Sequence, residues 1–578
     1  MTNKITLPCH KVVTVQNTDL DVELTQHQMH FNYIGLHNAA IDDHYPLCQI
    51  PLDAEGASVI VGDGFQMLSQ CRGTIDKIEE VGRCPDNNSS YRLYDQNASK
   101  RFYNTLVIEE ASAFVLYGFT SCHRFAGYFE VEQAEQGRLV KAYIDGEGTY
   151  PLDWASRQLE SVVVLESNSL DDLYAQYAAL IAQNHPPRQH VQSEAPIGWC
   201  SWYAYYAEVS EDNIVENVAA MQGEMAPLEW VLLDDGYQAF MGDWLDPSEK
   251  FSSGVKSLVQ DIKAQGKRPA LWLAPFIAQR ESKLFQQHPD WFVRHEDGSH
   301  LKAEDITYGG WRCTPWYILD ASNPEVLEHL TQVLKTMREE WGVELFKLDA
   351  NYWGTLKGAR YQPGVTGVQA YRMGMQAIVD GVSDGWILGC NAPMWPSLGL
   401  VDAMRVSDDV ERHPERFRQI ALETFYRSWQ HRKLWQIDPD CITLVSLPNQ
   451  GCERQFYEFH RTVVLASGGL MLSGDPLPEL TPFATQTWQK LFVRQKHNQA
   501  SASFGSLSMN HALLSLTDKN ELHCLFNYAE ESLAMTLTSS TPRHWYDYWS
   551  GERLSTQKSQ IFEISLDAGI TSRAIVTA

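Results

Sequence analysis

Residues 345–349 read Leu-Phe-Lys-Leu-Asp, an apolar strand-like run with a lysine and an aspartate two positions apart at its end. Residues 230–235, Trp-Val-Leu-Leu-Asp-Asp, have the same character. Nearly continuous apolar runs are typical of parallel strands that are buried on both faces. Such runs alternate with amphipathic helical stretches, and we predict strands at 197–202, 230–235, 269–275, 345–350, 386–391, 403–409, 434–441 and 469–475. Repeated β-α units of this kind predict a (β/α)8 barrel or a doubly wound sheet.

The segments on either side have a different pattern. Up to about residue 185, short alternating runs are separated by turn-forming residues, which predicts an antiparallel β-sandwich, and one predicted strand covers residues 90–94. Alternation returns after about residue 500. Because 578 residues exceed what one hydrophobic core supports, we expect three domains. They are a β-domain over 1–185, the α/β domain over 186–500 and a β-domain over 501–578.

Composition excludes several classes of protein. The net charge of −27 repels phosphate backbones, so we expect no nucleic-acid partner. No window approaches the roughly 18 consecutive apolar residues of a membrane span, so we expect no membrane partner. The first residues lack the apolar core of a secretory signal, and the 11 cysteines include no Cys-x-x-Cys pair. Reduced thiols in the cytoplasm are the natural interpretation.

Most of the predicted strands end in polar side chains. Six of the eight end in polar residues, and the remaining two carry Trp202 and Trp272. Barrel enzymes place their chemistry at the C-terminal ends of the strands, so this distribution predicts an active site there. The alternative is that these carboxylates only cap the helices that follow.

Two carboxylates on separate strands suit glycoside hydrolysis. Lys347 and Asp349 share one face of an extended strand, and a lysine beside a carboxylate favours its ionised form. One ionised and one protonated carboxylate are the smallest set of catalytic groups that a glycosidase needs. An oxygen-ligated magnesium site is the rival use of such residues. No HExxH motif, glycine-rich phosphate loop or histidine cluster accompanies them, which favours glycoside hydrolysis over a metal site.

Seven motifs, in order, resemble glycoside hydrolase family 36, the α-galactosidase (melibiase) family, and in particular its compact bacterial members. They are Gly-Trp-Cys-Ser-Trp-Tyr at 198–203, Leu-Leu-Asp-Asp-Gly-Tyr at 232–237, Ala-Leu-Trp-Leu-Ala-Pro-Phe at 270–276, Phe-Lys-Leu-Asp at 346–349, Leu-Gly-Cys-Asn-Ala-Pro at 388–393, Met-Arg-Val-Ser-Asp-Asp at 404–409 and Asp-Pro-Asp-Cys at 438–441. The resemblance implies an N-terminal β-supersandwich, a central (β/α)8 TIM barrel and a C-terminal antiparallel β-sandwich. It also implies retaining hydrolysis by double displacement without a cofactor.

The resemblance also implies roles for individual residues. Asp349 matches the family's nucleophile and Asp409 its acid/base. Asp234 and Asp235 match receptors for the axial 4-OH and the 6-OH of galactose. The full set of implied substrate-binding residues is Trp202, Asp234, Asp235, Trp272, Lys347, Cys390, Arg405 and Asp440. The tryptophans would form apolar walls, Lys347 would reach the 3-OH and 4-OH, Cys390 and Arg405 would face the 2-OH, and Asp440 matches a carboxylate near the site.

Two stretches depart from the family pattern. Many members carry a Gly-Trp-Gln-Ser-Trp-like element in the N-terminal domain, where this chain has Gly-Phe-Gln-Met-Leu at 64–68. Close relatives have Gly-Pro-Asp at the acid/base, where this chain has Ser407, Asp408 and Asp409. Raffinose-synthase-like relatives share Ser-Asp-Asp, which leaves transfer to an acceptor sugar open.

We therefore predict a cytoplasmic exo-α-galactosidase that acts on short oligosaccharides of the melibiose or raffinose type. The alternatives are an α-N-acetylgalactosaminidase, an α-galactosyl transferase and a non-catalytic sugar-binding protein. A homo-oligomer is left open. Between the adjacent aspartates, strand alternation places Arg405, Ser407 and Asp409 on the inward face, which gives Asp408 a structural or capping role.

Overall fold

The N-terminal part of the chain is an antiparallel sheet in the computed structural model. The structure describes residues 4–36, 39–110, 113–135, 137–151, 154, 156–497, 502–517 and 520–578. The strands of this sheet are β1 (Lys4–Thr6), β2 (Val12–Val15), β3 (Leu20–Thr25), β4 (Gln28–Tyr33), β5 (Tyr45–Leu52), β6 (Val59–Asp63), β7 (Gln70–Thr74), β8 (Lys77–Glu80), β9 (Phe102–Glu110), β10 (Ala113–Phe119), β11 (Ala126–Ala134), β12 (Gly137–Asp145) and β13 (Gln158–Ser167). The main path runs β1-β2-β5-β12-β11-β9-β10-β13-β4-β3, and β6 joins β9 to β7 and β8.

A helix, α1 (Leu170–Asn184), follows this sheet. The Ser169 side chain caps it by accepting a hydrogen bond from the backbone N–H of Asp172, and its buried face includes Leu173, Tyr177 and Ile181. The Tyr177 hydroxyl donates to the carbonyl of Phe119 in β10 at 2.7 Å, which fixes the helix on the sheet.

The central part of the chain contains a parallel sheet of short strands. They are β14 (Ile197–Cys200), β15 (Trp230–Leu233), β16 (Arg268–Leu273), β19 (Leu345–Leu348), β20 (Trp386–Gly389), β21 (Ala403–Arg405), β22 (Gln436–Asp438) and β23 (Met471–Ser473). Two further strands, β17 (Ile277–Gln279) and β18 (Trp316–Ile318), form a separate antiparallel pair. Within the described residues the order of the parallel sheet is β22-β21-β20-β19-β16-β15-β14-β23.

Hydrogen bonds also join the two end strands of that order. The Leu470 N–H, just before β23, donates to the Ile437 carbonyl of β22 at 2.9 Å. The Ile442 N–H donates to the Leu472 carbonyl at 2.7 Å. The sheet therefore closes on itself, which decides between the two predicted architectures in favour of the (β/α)8 barrel.

Helices follow the barrel strands. They are α2 (Trp202–Tyr205), α3 (Glu211–Ala220), α4 (Val255–Ala264), α5 (Lys283–Gln287), α6 (Ala303–Ile306), α7 (Pro324–Lys335), α8 (Gly367–Val382), α9 (Pro414–Arg427), α10 (Arg454–Ser467) and α11 (Pro482–Gln495). Their starts are readable in the sequence. Asn323 caps α7 with Pro324 at its first position, and Thr366 and Gln369 form a reciprocal capping box on α8.

All eight predicted barrel strands exist, but most end earlier than predicted. Asp349, Asn391 and Asp440 each lie in the loop just beyond a strand. Ala350, Asn391 and Asp440 have φ values of 52°, 39° and 74°, in the left-handed region that ends a strand abruptly. The predicted strand at 90–94 is wrong, since these residues form turns.

The C-terminal part is antiparallel. Its strands are β24 (Ser503–Phe504), β25 (His511–Thr517), β26 (Asn520–Asn527), β27 (Leu533–Arg543), β28 (Trp545–Asp547), β29 (Ser559–Leu566) and β30 (Thr571–Thr577). They form the sheets β24-β25-β26-β30-β28 and β27-β29, around a core that includes Leu525, Trp545 and Ile575. The predicted fold class is confirmed; the boundary predicted at 500/501 lies outside the described residues.

The chain divides into two compact units, and the three domains stay a prediction. The first contains residues 1–188, 238–249 and 272–402, and the second contains 189–237, 250–271 and 403–578. None of the helices in the described ranges is long and apolar enough to cross a membrane. The same ranges contain no group of His, Cys, Asp or Glu residues arranged to hold a metal ion. No disulfide joins any of the 11 cysteines, all of which lie in described residues.

Candidate active site

Asp349 is fixed by three hydrogen bonds in the first unit. Its Oδ2 accepts from Trp272 Nε1 at 2.9 Å. Its Oδ1 accepts from Asn391 Nδ2 at 2.8 Å and from the Ala350 N–H at 2.7 Å. Only 7% of Asp349 is exposed. Hydrogen bonds to a carboxylate are short and strong, so this set orients an anionic oxygen at the end of β19.

Three further predicted residues lie in this unit and are nearly fully buried. Lys347 is within β19, Trp272 is within β16, and Cys390 directly follows β20. The Cys390 N–H donates to the Leu348 carbonyl at 2.7 Å. Trp272 packs edge-on against Trp244 at a centroid distance of 5.9 Å. The predicted residues on β16, β19 and β20 are therefore placed on rigid strand ends.

Asp234 and Asp235 follow β15 in the second unit, and both are almost completely buried. Asp234 stabilises its own loop. Its N–H donates to Ser201 Oγ at 2.9 Å, and its Oδ1 accepts from the Asp235 N–H at 2.8 Å. Burial first, and then the charge of Asp235, raises the pKa of Tyr237 well above its usual value.

Trp202 does not lie on a strand. β14 ends at Cys200, and Trp202 begins α2. Its side chain is partly exposed and packs edge-on against Tyr206 at 5.4 Å between centroids. A partly exposed indole in the short helix just beyond a barrel strand can present an apolar face to a sugar ring.

Arg405 connects two carboxylates in the second unit. Its Nη2 lies 2.8 Å from Asp409 Oδ1 and 2.8 Å from Asp440 Oδ2. Asp440 Oδ2 also accepts from the Tyr203 hydroxyl at 2.5 Å and from the Val410 N–H at 2.6 Å. The side chains of Arg405 and Asp440 are buried, whereas 47% of the Asp409 side chain is exposed. Asp440 is therefore held within the protein, and Asp409 faces solvent.

Asp408 has different partners from Asp409. Its Oδ1 accepts from the Asp409 N–H at 2.7 Å, and its Oδ2 forms a buried ion pair with Arg416 on α9. The Asp408 N–H donates to Glu423 Oε2 at 2.8 Å. Burial, followed by the charge of Asp408, raises the pKa of Glu423 to about 7. These contacts agree with the structural role predicted for Asp408. The strand alternation used to predict it does not extend that far, because β21 ends at Arg405.

Two residues that contact the predicted ones, and a third that contacts one of these two, were not assigned from the sequence. Asn391 was noted only as a polar strand end, although its amide contacts Asp349. Tyr203 lies inside a quoted motif but was given no role; burial first, and then Asp409 and Asp440, raises its pKa well above its usual value. Arg412 donates to the carbonyls of Tyr203 and Val445 and to Asp475 Oδ1 at 2.9 Å. Only the positions of Asn391 and Tyr203 inside two of the motifs could have indicated them.

The loop at residues 64–68 contacts the barrel in the first unit. The Met67 N–H donates to the Ala392 carbonyl at 3.1 Å, and the Met394 N–H donates to the Phe65 carbonyl at 2.8 Å. Phe65 is buried, and its ring packs edge-on against Tyr103 and Tyr352. The N-terminal loop thus extends the barrel loop that follows Asn391.

Comparison with known proteins supports the resemblance carried by the seven motifs. Residues 157–386 match the family model described as Melibiase. The bifunctional alpha-galactosidase/sucrose kinase AgaSK of Mediterraneibacter gnavus is 25% identical over 41% of this chain. The alpha-galactosidase AgaA of Geobacillus stearothermophilus is 23% identical over 46% of it. The resemblance to glycoside hydrolase family 36 is confirmed. These alignments span only 25% and 37% of the two relatives.

Solved structures share the fold. TtGalA, an alpha-galactosidase from Thermus thermophilus solved with p-nitrophenyl alpha-D-galactopyranoside, has a TM-score of 0.64 at 20% identity. The match covers 90% of this chain and 97% of that one. The GH36 enzyme AgaA has a TM-score of 0.65 at 15% identity, over 98% of this chain and 82% of its own. The fold shared with these two structures therefore extends over nearly the whole chain.

Proposed function

We propose that this chain is a retaining exo-α-galactosidase that removes terminal α-linked galactose from short oligosaccharides of the melibiose or raffinose type. The observation that carries the proposal is the Asp349 carboxylate, held by Trp272, Asn391 and the Ala350 N–H at the end of a barrel strand. The relatives that the chain resembles are named as α-galactosidases, which supports the choice of sugar.

The proposed reaction has two steps. In the first, Asp349 attacks the anomeric carbon while Asp409 gives its proton to the departing glycosidic oxygen, which forms a β-linked glycosyl-enzyme and a free alcohol. In the second, Asp409 takes a proton from water, which attacks the anomeric carbon and releases Asp349. The exposure of the Asp409 side chain supports its role, because an acid/base must be reprotonated from solvent in each cycle.

Arg405 and Asp440 are proposed to act together. Arg405 is predicted to face the sugar 2-OH, and it also holds Asp409 at 2.8 Å. Asp440 contacts the same Nη2 and is anchored by Tyr203. We propose that Asp440 contributes to sugar binding by fixing Arg405.

Asp234 and Asp235 are proposed to select galactose through its axial 4-OH and its 6-OH. A site that hydrogen-bonds a hydroxyl rejects an analogue that lacks the matching group, because its own buried polar groups then go unpaired. We expect Asp235→Ala and Asp234→Ala each to lower kcat/KM at least roughly 100-fold, about 2.7 kcal/mol of transition-state binding. Near-normal kcat/KM in both folded variants would show that these residues stabilise their loop and do not bind the substrate.

One assay tests the whole proposal. Release of nitrophenol is compared for the α-galactoside, the α-N-acetylgalactosaminide and the α-glucoside. Preference for the first supports the proposal, preference for the second selects the N-acetylgalactosaminidase alternative, and release from none of them rejects a glycosidase.

Transfer is the second candidate, because Ser407-Asp408-Asp409 matches raffinose-synthase-like relatives. Product analysis with melibiose separates the two reactions: hydrolysis gives equal galactose and glucose, whereas transfer gives less galactose together with a longer oligosaccharide. We also propose a cytoplasmic location, where short oligosaccharides are the accessible substrates; fractionation of the source cells tests this. A homo-oligomer is tested by light scattering.

A further inference from the structure

A cavity of about 260 Å³ lies in the first unit, and none of the residues assigned to catalysis or sugar binding lines it. Its lining comes from two parts of the chain, residues 65–147 of the N-terminal part and residues 306–368 of the central part. At about 30 Å³ per water molecule, the volume corresponds to roughly nine waters. This is the size of one sugar ring and is too small for an oligosaccharide.

The apolar part of the lining is aromatic. Phe65, Tyr103 and Tyr352 all line the cavity. The Phe65 ring lies edge-on to Tyr103 at 5.6 Å and to Tyr352 at 6.2 Å between centroids. Aromatic faces pack well against the C–H face of a pyranose, because they offer rigid contact area at low entropic cost.

The cavity lining contains two basic and two acidic side chains. Arg92 and Lys357 are basic, and Asp145 and Glu147 are acidic. Lys357 Nζ pairs with Asp145 Oδ2 at 2.7 Å. Burial raises the pKa of Glu147 to about 7, against the opposing effect of Lys357, so near neutral pH this side chain can both donate and accept hydrogen bonds. Such a lining matches a neutral polyhydroxylated molecule better than an anion or a cation.

The Tyr103 hydroxyl has a hydrogen that it can still donate. Tyr103 is 1% exposed, and its hydroxyl oxygen accepts from the Arg101 guanidinium, which carries donors only. No residue in the described ranges accepts the hydroxyl's own hydrogen, and a buried donor of this kind is in most proteins satisfied by water or by a ligand. The Tyr103 hydroxyl can therefore donate to a molecule that enters this cavity.

We propose that the cavity lined by Phe65, Tyr103 and Tyr352 binds a single neutral monosaccharide, as a site separate from the catalytic carboxylates. The sugar ring packs on the aromatic side chains, and its hydroxyls bond to Tyr103, Asp145 and Glu147. Arg92 is exposed, as is 43% of the Lys357 side chain, so these two residues border the entrance.

The test is titration calorimetry with D-glucose on the full chain. We expect saturable binding to the wild type, weakened roughly five- to tenfold in Tyr103→Phe, since one hydrogen bond is lost. The same substitution removes the acceptor beside Arg101, so the melting temperature should fall slightly. Tyr45→Phe is the matched control, because it also removes a buried tyrosine hydroxyl beside a polar side chain, Asn17, and Tyr45 does not line the cavity.

Two more variants locate the bound sugar. Ala126 lines the cavity, so Ala126→Leu should fill it and abolish glucose binding. Asp235→Ala removes a proposed catalytic-site ligand and should leave glucose binding unchanged. Loss of binding in Asp235→Ala but not in Ala126→Leu would overturn the proposal, as would equal affinities in Tyr103→Phe and Tyr45→Phe, or no saturable binding to the wild type. Glucose binding is measured without turnover, so failure of the proposed hydrolysis would not affect this result.

Discussion

Asp349 and Asp409 occupy equivalent places, each shortly after a barrel strand, but they are held in opposite ways. Asp349 is buried and accepts hydrogen bonds from an indole, an amide and a backbone N–H. Asp409 is half-exposed and rests on the guanidinium of Arg405. Neutral donors around a buried carboxylate fix its position, whereas an exposed carboxylate can exchange a proton with water. The two environments therefore suit a nucleophile and an acid/base, respectively.

The largest effect should come from removing the buried carboxylate. Asp349→Ala should lower kcat at least about 10⁴-fold, because no other group can form the glycosyl-enzyme. Azide should occupy the vacated space and restore activity, with β-galactosyl azide as the product identified by NMR. An α-configured azide, or retained hydrolysis, would contradict the assignment.

Removing the exposed carboxylate should have a smaller effect that depends on the leaving group. Asp409→Ala should lower kcat/KM about 10²- to 10⁴-fold on melibiose, whose leaving alcohol needs a proton. An aryl galactoside with a good leaving group should lose much less in its first step, and azide should now give the α-azide.

Asp408→Asn is the control for Asp409→Ala. It weakens the ion pair with Arg416, so it should lower the melting temperature while azide has no effect on its activity. Azide rescue in the Asp408 variant, and not in the Asp409 variant, would transfer the acid/base role.

A smaller effect should follow from loosening the buried carboxylate. Asn391→Gly removes the amide that donates to Asp349 Oδ1, and glycine tolerates the φ of 39° at this position. A hydrogen bond to a charged group contributes about 1.5–3 kcal/mol, so kcat should fall roughly 10- to 100-fold. KM should change little, because Asn391 is not predicted to touch substrate. An unchanged kcat would show that Trp272 and the Ala350 N–H suffice to hold Asp349.

The smallest effect should come from replacing Glu423, which accepts a hydrogen bond from Asp408 beside the exposed Asp409. Glu423 has a pKa raised from 4.5 to about 7 by burial and by Asp408. The folded state therefore holds this proton more tightly than the unfolded state, and its stabilising contribution is present below pH 4.5 and is lost as the pH rises through about 7.

Glu423→Gln should make the unfolding free energy, measured by urea denaturation at pH 5 and pH 7, less dependent on pH. The change should be on the order of 2 kcal/mol, because each pKa unit corresponds to about 1.4 kcal/mol and most of the shift takes effect between these two pH values. An identical pH dependence in the two proteins would mean that Glu423 is ionised throughout.

The barrel strands were predictable because a strand buried on both faces needs an unbroken apolar run, and few other structures produce that pattern in such short segments. Their ends were not predictable, because they depend on left-handed backbone at Ala350, Asn391 and Asp440. Alanine carries no signal for that conformation. The stretch Ser-Tyr-Arg-Leu-Tyr at 90–94 wrongly predicted a strand. There the Asn88 side chain accepts from the backbone N–H groups of Ser90 and Tyr91 and forms a turn.

The sequence and its family resemblance indicated which aspartates to consider, but the sequence could not supply their partners. Tyr203 and Asp440 are 237 residues apart along the chain and share a hydrogen bond. No local pattern encodes such a contact, since it arises only when the first and seventh barrel strands become neighbours of the eighth. The different roles of Asp408 and Asp409 depend in the same way on α9, because Arg416 and Glu423 on that helix form hydrogen bonds with Asp408.

The backbone hydrogen bonds between residues 65–67 and 392–394 mean that the barrel is not a detachable module. A chain shortened to the barrel alone would retain every barrel strand and every predicted catalytic side chain. It would still leave the Met394 N–H and the Ala392 carbonyl without their partners, directly after Asn391, whose amide donates to the proposed nucleophile Asp349. Exchange of barrels between homologues should therefore succeed only when the 64–68 loop is exchanged with them, and recombination breakpoints that separate the two should yield folded but impaired enzymes.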